Sequence, residues 1–238
     1  MPNLADGTLD IPTVVRCLRD DDVHYARVKV VSVENTHNDC GGLALPLAFL
    51  DALKAAVSAK GVALHMDGAR AGNAAVALGV TLERTCRAAD TVSICLSKGM
   101  GAPIGSLLCG PRPFVDRARR ARKALGGGWR QAGIVAAAGL LALEGFEETV
   151  RRDHVLATRL AQALRGVIKV EAMPATNMVF FESAHDGLVE RLAGAGVLVF
   201  GGRGPLKTRV RAVVHRDVSE EDIDYAAEAL AKVAASGR

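Results

Sequence analysis

Apolar positions run through this chain in short blocks whose period changes. Residues 28–34 (VKVVSVE), 62–66 (VALHM) and 91–97 (TVSICLS) are brief and nearly continuous, as strands buried in a sheet are. Residues 104–109 (IGSLLC) read the same way. Between these blocks the spacing becomes helical. Pro46 opens a helix with Leu47, Leu50, Leu53 and Val57 on one face, closed near Gly61, and residues 73–78 predict another. Residues 9–20 predict a short amphipathic helix with a proline in its first turn. Strand and helix in alternation predict an α/β fold with a mostly parallel sheet covered on both faces and right-handed crossovers.

An Arg-rich helix is expected over residues 113–123, a break at Gly126–Gly128, and a small-residue helix over 131–143. From about Val150 the pattern changes. Helices are expected over 151–164 and 187–194, and strands over 169–172, 177–182, 197–200 and 208–214. Ser219 and Asp222 resemble a capping box opening a last helix, with Ile223, Ala227, Leu230 and Ala234 at helical spacing. The predicted organisation is a large domain over 1–149 and a small α+β domain over 150–238.

Composition narrows the class. The chain has 238 residues, of which 50% are hydrophobic and 24% charged, so it can bury a core and is not a disordered chain. Its net charge of +4 calls for no nucleic acid. The cluster Arg117, Arg119, Arg120, Arg122 and Lys123 lacks accompanying aromatics and reads as a solvated or inter-subunit helix face. The first residues, MPNLADGTLDIP, do not form a secretory signal, and the apolar run Ile134–Leu143 is too short to span a bilayer. No membrane partner is expected. Five scattered cysteines form no C-x-x-C pair and no metal-site spacing. They point to a reducing compartment: cytoplasmic, with the mitochondrion left open.

Ligands of parallel α/β sheets bind beyond the carboxyl ends of the strands. Three predicted strands here run into reactive residues: Glu34-Asn35-Thr36-His37, Asp67-Gly68-Ala69-Arg70 and Ser97-Lys98-Gly99. A lysine at one strand end and an aspartate at its neighbour suit pyridoxal phosphate (PLP). The lysine forms a Schiff base with the cofactor aldehyde, and the aspartate keeps the pyridine nitrogen protonated so that the ring accepts electrons. Arg70 could pair with a carboxylate.

Five ordered segments, VENTHN (33–38), HMDGAR (65–70), SICLSKGMGAPIGS (93–106), RKALGGGWRQAGIVAAAG (122–139) and RAVVHRDVS (211–219), together with DDVHYAR (21–27), resemble the L-threonine aldolase family of fold-type-I PLP enzymes. The resemblance implies Lys98 as the cofactor-bearing and catalytic lysine, and Asp67 as partner of the pyridine nitrogen. It implies Arg70 as a contact to cofactor or substrate carboxylate, and Arg211 as a second substrate-carboxylate arginine. His24 resembles a catalytic histidine near the substrate β-hydroxyl. His37 reads as structural, and His65 and His215 as braces. Gly126–Gly128 is either a helix break or a close approach of Gly128 and Arg130 to the cofactor phosphate, from a neighbouring subunit. Trp129 stands where the family pattern has methionine.

The activity implied is cleavage of L-threonine or L-allo-threonine to glycine and an aldehyde by a homo-oligomer, dimer or tetramer. The resemblance also implies a longer N-terminal region, with a phosphate-cradling loop and a ring-stacking histidine, that no segment here matches. The large domain is therefore expected to be partial, with exposed apolar surface and an open sheet edge. A catalytically inactive remnant and a related PLP-dependent β-eliminating lyase stay as alternatives.

Overall fold

In α1 (Ile11–Cys17) the Asp10 carboxylate caps the helix by accepting from the Thr13 N–H at 3.0 Å, and a proline sits in its first turn. The computed structural model describes residues 1–20, 22–182, 187–201 and 208–235, so Asp21 of the DDVHYAR segment lies outside the described residues. The chain divides into two compact units, Met1–Glu147 and Glu148–Arg238.

The first unit is built on a sheet of order β1-β2-β3-β4. Its strands β1 (Val30–Glu34), β2 (Ala63–Asp67) and β3 (Thr91–Cys95) are parallel, and β4 (Ser106–Cys109) runs antiparallel to β3. The mostly parallel α/β expectation therefore holds. Helix α2 (Leu47–Ser58) links β1 to β2 and buries Leu50, Leu53 and Val57 completely, the stripe that the spacing predicted. Helices α3 (Ala71–Leu78) and α4 (Leu82–Cys86) link β2 to β3. α3 stops at Gly79, whose φ of 65° a side chain would resist. The first unit continues with α5 (Arg112–Ala124) and α6 (Gly133–Leu143).

Coverage of the sheet differs from the expectation of strands buried on both faces. In β2 and β3 buried residues alternate with half-buried ones. β1 is an edge strand with Val30 51% exposed, and all four residues of β4, at the other edge, are exposed. The apolar runs marked the strands correctly, but edge position decides their burial.

Helix α7 (Phe146–Ala163) opens at the end of the first unit and runs into the second. The second unit has an antiparallel sheet of order β5-β6-β8-β7, made of β5 (Lys169–Val170), β6 (Met178–Glu182), β7 (Phe200–Gly201) and β8 (Arg209–Val213). Helices α8 (Leu188–Gly194) and α9 (Glu220–Ala235) complete it. Its core gathers Leu156, Leu160, Leu164, Phe181, Leu192 and Leu230. The capping box is present: Ser219 N–H donates to the Asp222 carboxylate at 2.8 Å, and Asp222 N–H donates to Ser219 Oγ at 3.1 Å. The strand expected over 197–200 lies at Phe200–Gly201 instead, because Val197 and Val199 pack onto the core without joining a ladder.

Candidate active site

The carboxyl ends of β1, β2 and β3 lie side by side. Glu34 is register partner of Asp67, and Asp67 of Ser93. The backbone then turns tightly at the D-G-A-R segment. Gly68 N–H donates to the Ser93 carbonyl at 2.8 Å, and a Cβ at Gly68 would stand 2.9 Å from Val92 Cγ1 and 3.0 Å from the Ser93 oxygen. Only glycine lets β2 leave the sheet this close to β3. One Asp67 carboxylate oxygen accepts from the Ala69 N–H at 3.0 Å, and the side chain is exposed. Arg70 is half-buried at the N-terminus of α3.

Lys98 sits on a turn anchored at several points. Leu96 N–H donates to Gly105, Ala102 N–H to Leu96, and Gly101 N–H to the Lys98 carbonyl, each at 2.8 to 2.9 Å. Leu96, Met100 and Ala102 are buried, whereas Lys98 is exposed and its ammonium has no ion-pair partner among the described residues. The aspartate and lysine segments are joined beneath the surface. A Cβ at Gly72 would lie 3.3 Å from Met100 Cε and 2.9 Å from the Phe146 ring, so α3 and the lysine turn pack together through Gly72. Gly139 of α6 approaches the same turn: a Cβ there would stand 3.0 Å from Leu96 Cδ1. Gly68, Gly72, Met100 and Gly139 thus position the candidate residues. Sequence reading missed them because their effect is a close approach in space, marked only by glycine at each contact.

At the end of β1, Asn35, Thr36 and His37 are 0%, 1% and 7% exposed. Asn35 Oδ1 accepts from the Leu45 N–H at 3.1 Å, while Asn35 Nδ2, Thr36 Oγ1 and His37 Nδ1 have no hydrogen-bond partner among the described residues, and the Glu34 carboxylate lies 3.9 Å from His37 Nδ1. The His37 backbone bonds to Leu43 and Gly42, in keeping with a structural part in the loop. His65 braces β2 on β3 through a 2.8 Å contact between Nδ1 and Thr91 Oγ1. His24 is 81% exposed, with Nδ1 2.9 Å from the Asp22 carboxylate. No hydrogen bond or ion pair joins it to Asp67 or Lys98 among the described residues.

The glycine run ends α5. Gly126 has a φ of 91°, and the N–H groups of Gly126, Gly127 and Gly128 donate to the carbonyls of Lys123, Arg122 and Gly126. Those amides are occupied within the turn, which is the helix break in structural form. Arg130 follows it, exposed.

In the second unit, β8 alternates. Val210 and Ala212 enter the core, and Arg209 and Arg211 lie on the opposite face. The Arg211 guanidinium carbon is 5.3 Å from the centre of the Phe200 ring. Arg209 grips Glu171 at 2.6 and 2.8 Å and stacks on Phe180 at 4.2 Å. A cavity of about 330 Å³ in this unit is lined by Leu198, His215 and Tyr225 among others, and Arg211 is not in its lining.

The beta-eliminating lyase family model matches residues 1–186. The chain belongs to the beta-eliminating lyase family. It is 41% identical over 237 residues to the low specificity L-threonine aldolase of Escherichia coli K12, covering 98% of this chain and 67% of that protein. The low-specificity L-threonine aldolase 1 of Arabidopsis thaliana is 36% identical over 235 residues, covering 94% of this chain and 64% of that protein. A Caenorhabditis elegans relative is 38% identical over 241 residues, 95% of this chain and 57% of its own length. The chain thus spans 57% to 67% of the length of these relatives. Among solved structures, Leishmania major threonine aldolase matches with TM-score 0.78 at 19% identity, over 97% of this chain and 69% of that one. SPT bound to PLP matches with TM-score 0.69 at 15% identity, over 95% of this chain and 59% of that one. The fold is that of fold-type-I PLP enzymes.

Proposed function

We propose that this chain carries the lysine and aspartate of a PLP-dependent low-specificity threonine aldolase, cleaving β-hydroxy-α-amino acids to glycine and an aldehyde. The observation that carries the proposal is the exposed, unpaired Lys98 on an anchored turn packed through Met100 and Gly72 against the Asp67–Arg70 segment. The residues fit the cofactor at its reactive end. A primary amine stands ready for an aldehyde, a carboxylate lies at the adjacent strand end, and Asn35 Nδ2 and Thr36 Oγ1 beside them are buried polar atoms without a hydrogen bond among the described residues.

When bound, the cofactor supplies an electron sink for the pair left on Cα as the Cα–Cβ bond breaks. Lys98 would hold it. Asp67, acceptor-only when ionised, would keep a proton on the ring nitrogen, sustaining charge that develops in the transition state. Arg70 and Arg211 would bind the substrate carboxylate, where a guanidinium fork fixes orientation as well as charge. His24 would accept the β-hydroxyl proton. Arg130 would serve a cofactor bound by a neighbouring subunit, while Gly128, its amide occupied within the turn, would shape the break that precedes it.

Self-association is part of the proposal. Helix α6 is apolar almost throughout, yet Ile134, Leu140 and Leu141 are 73%, 67% and 70% exposed. A helix apolar all round is stable when covered, and a second copy of this chain is the partner proposed. No helix among the described residues is long and apolar enough to cross a membrane. None of the five cysteines is in a disulfide, which supports the cytoplasm or the mitochondrial matrix.

The test is to supply the chain with PLP and L-threonine and measure glycine and acetaldehyde. Activity lost in Lys98→Ala supports the reading, and no product from the parent chain contradicts it.

A further inference from the structure

The sheet of the second unit has two unlike faces. Val179, Phe181, Val210 and Ala212 enter the core. The residues between them lie on the other face, where Arg211 is register partner of Phe180 on β6 and of Phe200 on β7. These three side chains therefore stand in one row across the sheet. Two arginines of β8 share that face and are held differently. Arg209 is committed to Glu171 by two bonds at 2.6 and 2.8 Å and stacks on the Phe180 ring at 4.2 Å. Arg211 lies over the Phe200 ring, its guanidinium carbon 5.3 Å from the ring centre. β7 is an edge strand, and the backbone next to Phe200 is seated closely. A Cβ at Gly201 would stand 2.6 Å from Val189 Cγ2 of α8, and Val189 packs on the core.

Core packing does not account for Phe200, which is 52% exposed on a two-residue edge strand. A ring half in water gains little from burial. What it offers is a π face under a guanidinium, at a distance where the two attract. We infer that Phe200 is a positioning residue, a seat that holds the Arg211 guanidinium on the outer face of β8. A guanidinium fork must be aimed to take a carboxylate in two places, and a long side chain left free to rotate loses that freedom at each binding event. The seat removes part of that cost in advance. Arg209 completes the arrangement: with its charge met by Glu171, it does not draw a carboxylate away from Arg211. The consequence for substrate binding rests on the reading of Arg211 as a substrate-carboxylate arginine.

The seat is tested first without activity, by the rate at which phenylglyoxal labels Arg211, read by peptide mass spectrometry with Arg209 of the same strand as the reference. Phe200→Leu keeps apolar bulk and removes the π face. It should speed labelling of Arg211 about two- to fivefold and leave Arg209 unchanged. Phe200→Tyr, which keeps a ring, should label at the parent rate. An Arg211 rate in Phe200→Leu equal to the parent's overturns the inference. So does a rise shared equally by Arg209 and Arg211, which would report a loosened β8 rather than a lost seat. Where the chain is active, Phe200→Leu should raise KM for threonine about two- to fivefold with kcat kept. The same substitution should leave KM unchanged in the Arg211→Ala background, since its effect passes through Arg211. An equal effect in both backgrounds, or a lowered kcat with KM unchanged, would refute the seat. Labelling as expected in a chain without activity would leave the seat standing and fail the aldolase reading.

Discussion

The backbone N–H of Asn35 donates to the carbonyl of Asp67 at 2.8 Å, one residue past the Glu34–Asp67 register pair. That bond ends β1 and β2 at the same level. The buried polar loop of β1 and the exposed carboxylate of β2 therefore open on one edge of the sheet, beside the turn that carries Lys98. The geometry places an amine and a carboxylate, the two groups a PLP site needs first, on neighbouring rigid supports.

Gly68 is the residue on which that geometry depends most. Gly68→Ala puts a methyl 2.9 Å from Val92 Cγ1 and 3.0 Å from the Ser93 oxygen. The expected cost is about 1–3 kcal/mol in urea unfolding, since the backbone oxygen cannot give way. Gly194→Ala in α8, where a Cβ meets nothing within 4 Å, should be neutral or slightly stabilising.

Adjacent residues on α7 should give opposing pH dependences. Burial raises Asp153 from 3.8 to about 6, so its neutral form is favoured in the fold. The unfolded chain releases that proton earlier, and stability is lost as pH rises from 3.8 through 6. Burial, with Arg151 nearby, lowers His154 from 6.5 to about 4. Its contribution is present above 6.5 and is lost as pH falls through 4. Thermal melts across pH should show Asp153→Asn gaining stability at pH 8, by about 1–2 kcal/mol after solvent screening, and none at pH 3.5. His154→Gln should remove stability loss on the acid side.

Much of this was legible in the sequence, and the exceptions have physical causes. The apolar runs gave β2 and β3 to within two residues, and Ser219–Asp222 marked the start of α9. Helix α4 was missed because five residues are too few for a period, although Thr81 caps it by accepting from the Arg84 N–H at 3.1 Å. The joint of Gly72, Met100 and Phe146 unites residues 74 positions apart, and no local pattern encodes such an approach. Lys98 and Asp67 stand out in the sequence because chemistry at a strand end needs particular residue types, and the structure places Asp67 at the end of β2 and Lys98 on the turn after β3. His24 was named by resemblance, and the structure gives it Asp22 as its partner.

Arg211 should respond to substitution in a way that separates charge from geometry. Arg211→Lys keeps the charge and loses the fork, so KM for threonine should rise about tenfold or more, with a further rise in Arg211→Ala. Melting temperatures of both variants would show whether the change is confined to binding. Equal KM values in all three proteins would remove Arg211 from the site.

The exposed apolar face of α6 predicts association. Ile134→Glu with Leu141→Glu should shift the chain toward monomer in light scattering without unfolding it, because both side chains are over two-thirds exposed. A parent chain that is already monomeric at high concentration would contradict the proposed partner.

The most direct test of the account is where the cofactor attaches. The chain is incubated with PLP, reduced with borohydride, digested, and its lysine-containing peptides are weighed by mass spectrometry. The account predicts a pyridoxyl adduct on Lys98, absent from Lys98→Ala and weakened in Asp67→Ala. An unmodified Lys98, or label spread evenly over the other lysines, would contradict it.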